Sequence, residues 1–473
     1  MLALRQPALA LDRTALGPAA ALGTRIVLGL VALGAYGFHR DELYLQECGR
    51  HLDFGFVDHA PLAPALSFLA LHAFGPSPAG ARLFSLSASL ATAGAAALVA
   101  RDLGGERLAQ ILAAALVGIA PLFVYSGGVF GTNAFDELFW TLAGLSLLRG
   151  QFVSLGVWIG LGLLAKPTMA LGAVCLVAAA VVAKMRLRAI WVSLAVAAAI
   201  ASPFAMWQHA HGWPGVDFFL ASRAAARGRT GPVAVFLDQL RLLGPFSCAA
   251  AALGIVRALR GSARIAGLPF LFALVAVAVV GGKPYYASSA APLAIAAGAV
   301  AVVDRVRTWP RLAAAALSAA ALIQCLGTLP LLPRSPLLAS LHPELVQFTD
   351  WRSLARSVSE LHSRVGLDPS APVLTDSYGT AAALAHFGGP PVLSGSNSFA
   401  AWAWPRRDEP DAVLAIGYPP DLLRRFFAHV DTAGRVEARS GGNNRFDFPK
   451  DAWVCTGRTA SLRAAWHLFI HYD

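Results

Sequence analysis

This sequence has little charge. Only 14% of its 473 residues are Asp, Glu, Lys or Arg, and 56% are hydrophobic, with a mean hydropathy of +0.58. A soluble domain typically carries about 25% charged residues, so this composition excludes an ordinary water-exposed surface. The apolar residues fall into blocks of roughly 17 to 25, the length that crosses a hydrocarbon layer of about 30 Å as helix, and lipid is therefore the solvent expected for most of the chain. Acidic residues are scarcer than basic ones, leaving a net charge of +11. The basic residues sit in short loops between apolar blocks, where they set orientation, so no nucleic-acid partner is expected. Cysteine is sparse too: Cys48, Cys175, Cys248, Cys325 and Cys455 show no C-x-x-C spacing. That excludes a zinc knuckle or a disulfide framework and disfavours a Cys48–Cys455 bridge. The C-terminal part has no G-x-G-x-x-G and no P-loop, and no nucleotide site is expected there.

The apolar blocks give candidate spans at 22–38, 79–100, 108–126, 129–148, 151–165, 167–183, 190–207, 233–256, 266–282, 285–303 and 312–332. The first lacks an A-x-A-type cleavage site and reads as a retained signal anchor. With a cytoplasmic N-terminus every inside loop is basic, from Arg101 and Arg107 to Arg305, Arg307 and Arg311. The same threading puts 39–78, 126–132, 208–232 and 283–286 outside, together with everything after 333. From about 335 onward charge rises and short strand-like and helix-like runs alternate, such as PVLTDS, TAAALAHFG and AVLAIGY. The chain thus divides into a membrane domain, 1–334, with a first outside loop at 39–78, and a small extracytoplasmic α/β domain, 335–473.

The outside segments hold the residues able to do chemistry. HRDELYLQE sets Asp41 and Glu42 where the first span leaves the membrane, and GFVDHAPLAPAL adds Asp58 and His59 before a proline-stiffened re-entry. Adjacent interfacial carboxylates can be plain solvated charges; a long loop rich in ionisable groups favours a site. In GTNAFDELFW, Asp136 and Glu137 open an apolar span, and charges at such depth usually face a cavity or a partner. Lys166 lies between two short spans, Lys283 precedes Tyr285 and Tyr286, and Arg82 begins the second span. Interfacial cations are often snorkelling anchors, but lysine beside tyrosine hydroxyls is a sensible cradle for a phosphate at headgroup depth. In WQHAHGWP, His209 and His211 are two apart and do not share a helix face, so a metal pair on a helix is disfavoured. Only a loop could gather them with His59.

Taken in order, DELY, GFVDHAPLAPAL, TNAFDELFW, LLAKP, WQHAHGWP, KPYYASSAAPLAIAAG, SYGTAAALAHFG and VLSGSNSFAAW resemble the bacterial family 39 glycosyltransferases, relatives of the protein O-mannosyltransferases and of the lipid A aminoarabinose transferase. The resemblance runs from about residue 39 to 402. It implies a membrane all-α helical bundle of the GT-C type with about eleven transmembrane helices and a small C-terminal α/β domain in a bacterial inner membrane. It also implies a polyprenyl-phosphate sugar donor. By motif, Asp41 would be the catalytic carboxylate, Glu42 its neighbour and Asp136 the second acid. Lys166, Lys283, Tyr285 and Tyr286 would serve the donor phosphate, with Arg82 a further cation, and Asp58, His59, His209 and His211 would belong to the substrate loops. One departure is Ala60 before Pro61, where the family usually has two prolines after the histidine.

The residues themselves agree with that chemistry. A carboxylate can take the acceptor's proton, and cations or tyrosine hydroxyls can stabilise the leaving phosphate without a cofactor. No metal is required, and none is expected. A single displacement inverts the anomeric centre, whereas retention needs a second carboxylate as nucleophile. The expected partners are the lipid-linked donor, membrane lipid, and a glycolipid, polysaccharide or protein acceptor. The competing reading is a lipid or lipid-linked sugar flippase. It would require polar residues along a path between both leaflets, whereas here they gather on one side.

Overall fold

The computed structural model describes residues 16–34, 37–185, 187–226, 231–306, 348, 351–404, 409–437 and 449–472. The first part is helical: α1 Leu16–Ala32, α2 Arg40–Arg50, α3 Leu62–Phe74, α4 Pro78–Asp102, α5 Arg107–Gly118, α6 Pro121–Gly128, α7 Asn133–Leu148, α8 Phe152–Ala165, α9 Met169–Val182, α10 Ile190–Ala210, α11 Pro214–Ala226, α12 Pro232–Leu243, α13 Pro245–Leu259, α14 Arg264–Val280, α15 Tyr285–Ser288 and α16 Ala291–Val306. Among the described residues, α4 and α10 are each long and apolar enough to cross a bilayer. The bent pairs α5 with α6 (62°) and α13 with α14 (113°) raise the number to four if each pair is one span. Among the described residues, several of the expected spans are shorter or broken helices. Helices α7, α8 and α9 have 16, 14 and 14 residues, below the roughly 20 that an upright span needs. The expected 233–256 span is broken at Gly244, whose φ of 75° no helix accommodates, and 312–332 lies outside the described residues.

Small residues set the spacing of the bundle. A Cβ on Gly254 would stand 2.0 Å from the Ala294 carbonyl oxygen, and one on Gly298 would stand 1.8 Å from that of Ala250. Only hydrogen fits between the backbones of α13 and α16, the close approach that alanine and glycine permit in membrane helices.

The first outside segment is not the proline-fixed loop expected at 39–78, because it folds into α2 and α3. Helix α2 starts where His39 Nδ1 accepts the Asp41 amide at 3.1 Å and Glu42 Oε2 accepts the His39 amide at 2.8 Å, a reciprocal cap. Gly49 lets it lie on α3, since a Cβ there would meet the Phe68 nitrogen at 3.0 Å.

The C-terminal part is a small α/β domain. Helix α17, Trp351–Arg364, buries Trp351, Leu354, Ala355, Val358 and Leu361, spaced as one helical face requires. Strands β1 Val373–Thr375, β2 Val392–Ser394, β3 Ala412–Ile416, β4 Phe427–Val436 and β5 Lys450–Arg458 form one sheet in the order β2-β1-β3-β5-β4. β1 runs parallel to both β2 and β3, whereas β5 is antiparallel to β3 and β4. Helix α18, Tyr378–Phe387, follows β1. Ser377 Oγ caps its start, and Gly388 ends it in the left-handed conformation.

One apolar core joins this domain to the first outside segment. Phe38, Leu43, Tyr44, Cys48 and Phe56 pack in the same cluster as Trp351, Val358, Tyr378, Ala381, Leu414 and Ile416. Burying a side chain the size of Leu43 stabilises by about 1.5–3 kcal/mol, so the domain is held by packing and is not tethered by a linker alone. Cys48 and Cys455 are separate buried thiols on α2 and β5.

Candidate active site

Asp41 sits in the first turn of α2. Its side chain is 50% exposed, yet desolvation is the largest influence on its ionisation. The carboxylate is thus half-exposed and flanked by the side chains that act on it. The surrounding protein pushes its pKa up, but His39, the Tyr378 hydroxyl, Arg40 and His59 more than offset this, and the carboxyl lies below its ordinary range. The Tyr378 hydroxyl donates to Asp41 Oδ1 at 2.7 Å, and His39 Nδ1 stands 3.8 Å from Oδ2.

Glu42, one residue on, is turned away from Asp41 toward Arg82. Arg82 Nε donates to its Oε1 and Arg82 Nη2 to its Oε2, both at 2.7 Å, and the Phe130 amide adds a bond to Oε1 at 2.8 Å. Arg82 also donates to the carbonyls of Leu33 and Gly37, at 3.1 and 2.6 Å. Glu42 is 1% exposed and Arg82 is 0% exposed. The pair therefore staples the end of α1, the start of α2, α4 and the segment before α7, and neither side chain is presented to solvent.

Asp58 forms a different tie. It accepts from the Tyr44 hydroxyl at 2.7 Å and from Asn397 Nδ2 at 3.0 Å, while the Tyr44 oxygen accepts the Ser398 amide at 3.0 Å. His59 is beside it, with Nε2 3.4 Å from Asp58 Oδ2. Asp58 thus links the outside segment to the SGSNSF stretch of the C-terminal domain.

Asp136 is buried on α7, its carboxylate satisfied by Ser289 Oγ (2.7 Å), Trp140 Nε1 (3.1 Å) and Thr168 Oγ1 (3.2 Å). Lys166, in the turn between α8 and α9, donates to Asn133 Oδ1 at 2.7 Å, and its Nζ lies 4.7 and 5.0 Å from the ring centroids of Tyr285 and Tyr286. Tyr285 is within Coulombic range of both Asp41 and Asp136, and Tyr286 of Lys166 and Lys283. The structure therefore gathers Asp41, Asp136, Lys166, Tyr285 and Tyr286 around one region, with the exposed Lys283 at its margin.

His209 and His211 are not gathered there. Both are exposed, and His211 stacks on Trp207 at 4.1 Å. The member of that motif turned inward is Gln208, which donates to the Phe56 carbonyl at 3.0 Å and accepts the Gly215 amide. Among the described residues no three His, Cys, Asp or Glu side chains converge as metal ligands. Replacing His209 and His211 together by alanine is expected to change stability by less than about 0.5 kcal/mol and to leave turnover as it was, which a melting curve and a rate assay would check.

Sequence reasoning missed Tyr378, Tyr44, Asn397 and Ser289. Two of these lie in the late stretches SYGTAAALAHFG and VLSGSNSFAAW, whose polar openings were the available signal. What spacing cannot give is that a segment some 330 residues downstream lies on α2.

A family described as dolichyl-phosphate-mannose-protein mannosyltransferase matches residues 58–207. No curated protein sequence matches the chain. Among solved structures, ArnT from Cupriavidus metallidurans in the apo state aligns over 92% of this chain and 97% of its own, at 14% identity with a TM-score of 0.62. The chain has the GT-C fold. The same ArnT bound to undecaprenyl phosphate aligns with a TM-score of 0.60 at 15% identity, again over 92% of this chain and 97% of that one. The arabinofuranosyltransferase AftD from Mycobacteria aligns over 95% of this chain and 40% of that one, at 14% identity and a TM-score of 0.52. Both comparisons run across the helical part and the α/β domain.

Proposed function

We propose that the chain is an integral membrane glycosyltransferase that moves a sugar from a polyprenyl-phosphate donor to a hydroxyl on the extracytoplasmic side. The observation that carries this reading is a half-exposed carboxylate, Asp41, in the same region as the Lys166, Tyr285 and Tyr286 cluster. It stands within a fold shared with a transferase solved with undecaprenyl phosphate. Asp41 accepts the acceptor's proton as that oxygen attacks the anomeric carbon. The bond from that carbon to the phosphate oxygen breaks, and its electron pair leaves on the polyprenyl phosphate, where Lys166 and the two tyrosine hydroxyls meet the growing charge. Lys283 extends the positive field at the margin. Asp136, held by three donors, keeps the turn bearing Lys166 and the Ser289 end of α15 in register. Glu42 and Arg82 are the frame beneath Asp41, and Asp58 with His59 docks the α/β domain.

Attack opposite the leaving phosphate inverts the anomeric centre. Residues 1–334 form the membrane domain, inserted in the inner membrane with a cytoplasmic N-terminus, and 335–473 the extracytoplasmic domain. The acceptor is a glycolipid, a polysaccharide or a protein hydroxyl.

The test is turnover of a panel of polyprenyl-phosphate sugars by protein reconstituted in lipid with mixed cell-envelope acceptors, following free polyprenyl phosphate and product stereochemistry. Release from one donor class with inversion is the expected result. No release from any donor, together with movement of the lipid between leaflets, would replace the transferase by a flippase. In the same assay Lys166→Met should raise the donor KM about tenfold or more, since a hydrogen bond to a charged group is typically worth about 1.5–3 kcal/mol.

A further inference from the structure

We propose that Tyr378 of the α/β domain is a positioning residue for Asp41, so that the membrane part is catalytically incomplete until that domain is docked on it. The proposal rests on the assignment of Asp41 as the base. Tyr378 opens α18, on the far side of the chain from α2, yet its hydroxyl ends 2.7 Å from Asp41 Oδ1. The ring is held from two sides. The Arg40 guanidinium lies over it at 4.0 Å, and the Tyr44 ring is 4.9 Å away. The next residue is Gly379, where a Cβ would stand 2.9 Å from both Arg40 Cγ and Trp351 Cη2, so α18 packs against α2 with no room for a side chain between them. A tyrosine 8% exposed, stacked and backed by glycine has little rotational freedom, and its side-chain hydroxyl is aimed at the one half-exposed carboxylate of α2.

Docking alone does not need this bond. The apolar cluster around Tyr44, Trp351 and Ile416 and the ties of Asp58 to Asn397 and of Tyr44 to Ser398 already hold the two parts together. What the Tyr378 hydroxyl adds is direction. It occupies one lone pair of Oδ1, fixing the carboxylate plane and leaving the other oxygen for the acceptor's proton. The groups that act on Asp41 are His39 and Arg40 from α2, His59 from the following segment and Tyr378 from α18, and Tyr285 is within Coulombic range of it. Of these only Tyr378 donates a hydrogen bond to the carboxylate from the α/β domain.

Tyr378→Phe keeps the ring, its stacking and its volume and removes the hydroxyl. The expected result is a kcat lower by about five- to tenfold at unchanged donor KM, the loss of one oriented hydrogen bond. Because that bond favours the charged carboxylate, Asp41 should also titrate at higher pH in the variant, and the acid limb of the rate profile should follow. Asp41 is read directly as the carboxylate infrared signal lost in Asp41→Asn, a measurement that needs no turnover. Tyr44→Phe serves as the docking control: it weakens the tie to Asp58 and Ser398 and should leave the Asp41 titration in place. An Asp41 titration identical in wild type and Tyr378→Phe overturns the proposal, whatever happens to the rate, and so does an equal shift in Tyr44→Phe. A wild-type rate in Asp41→Asn is a different failure, that of the base assignment.

Discussion

Asp41→Asn is expected to lower kcat for sugar transfer by about 10²- to 10⁴-fold, the usual contribution of a positioned general base, with the donor still bound. The amide keeps the size of the side chain and can still meet the Tyr378 hydroxyl, so the loss reports the proton acceptor and not the packing. The carboxylate it replaces is held below its ordinary pKa and is fully ionised at neutral pH. The acid limb of the wild-type rate profile should therefore lie below the usual carboxylate range, and lowering the pH from neutral to about 5 should leave the Asp41 step unchanged. Single-turnover rates beside equilibrium binding of the polyprenyl-phosphate donor separate the two quantities. A variant that binds and turns over like the wild type would remove Asp41 from the mechanism. A variant that no longer binds donor would make Asp41 a binding residue instead.

The second large effect is on stability. Arg82→Met is expected to destabilise the protein by about 3–5 kcal/mol, because it leaves the Glu42 carboxylate buried at 1% exposure without its cation. The Leu33 and Gly37 carbonyls lose their donor in the same substitution. Denaturation midpoints in detergent measure this. The double variant Arg82→Met with Glu42→Gln should recover part of the loss, since the unpaired charge goes with its partner. If Arg82→Met folded with wild-type stability but raised the donor KM selectively, the arginine would be a phosphate ligand and not part of the frame. Sequence shows only that these two charges stand at a membrane boundary. Whether such a charge faces a cavity or a partner is settled by rotation about the helix axis. Helix α2 leaves Asp41 half-exposed and turns Glu42, one residue and about 100° further round, to Arg82.

How much could be read in advance follows the same line. The membrane class was legible from composition, because 14% charged residues cannot clothe a soluble fold of this length. The alternating strand and helix runs after 335 announced a small α/β domain, because turn residues and β-branched runs act locally. Asp41, Asp136, Lys166, Tyr285 and Tyr286 were visible as polar groups in apolar surroundings, where each must have a reason to be. The histidines of WQHAHGWP were visible too, but the inward member of that stretch is Gln208. At a helix end, one residue decides between core and solvent. Where the helices break is not legible, because hydropathy registers apolar length and is blind to breaks. Gly244 and the bend between α5 and α6 divide apolar runs that look continuous.

The sequence by itself determined that this chain lives in lipid, that its reactive groups lie at the ends of its apolar blocks, and that an α/β domain follows them. Those properties follow from transfer free energy and backbone preference, which each stretch of residues carries alone. Only the tertiary structure decided which of those groups come together. Asp41 and Tyr378 are 337 residues apart and meet at 2.7 Å, because apolar burial of Tyr44, Trp351 and Ile416 docks one domain on the other. Contacts of that separation depend on the packing of the whole core, which no local spacing encodes.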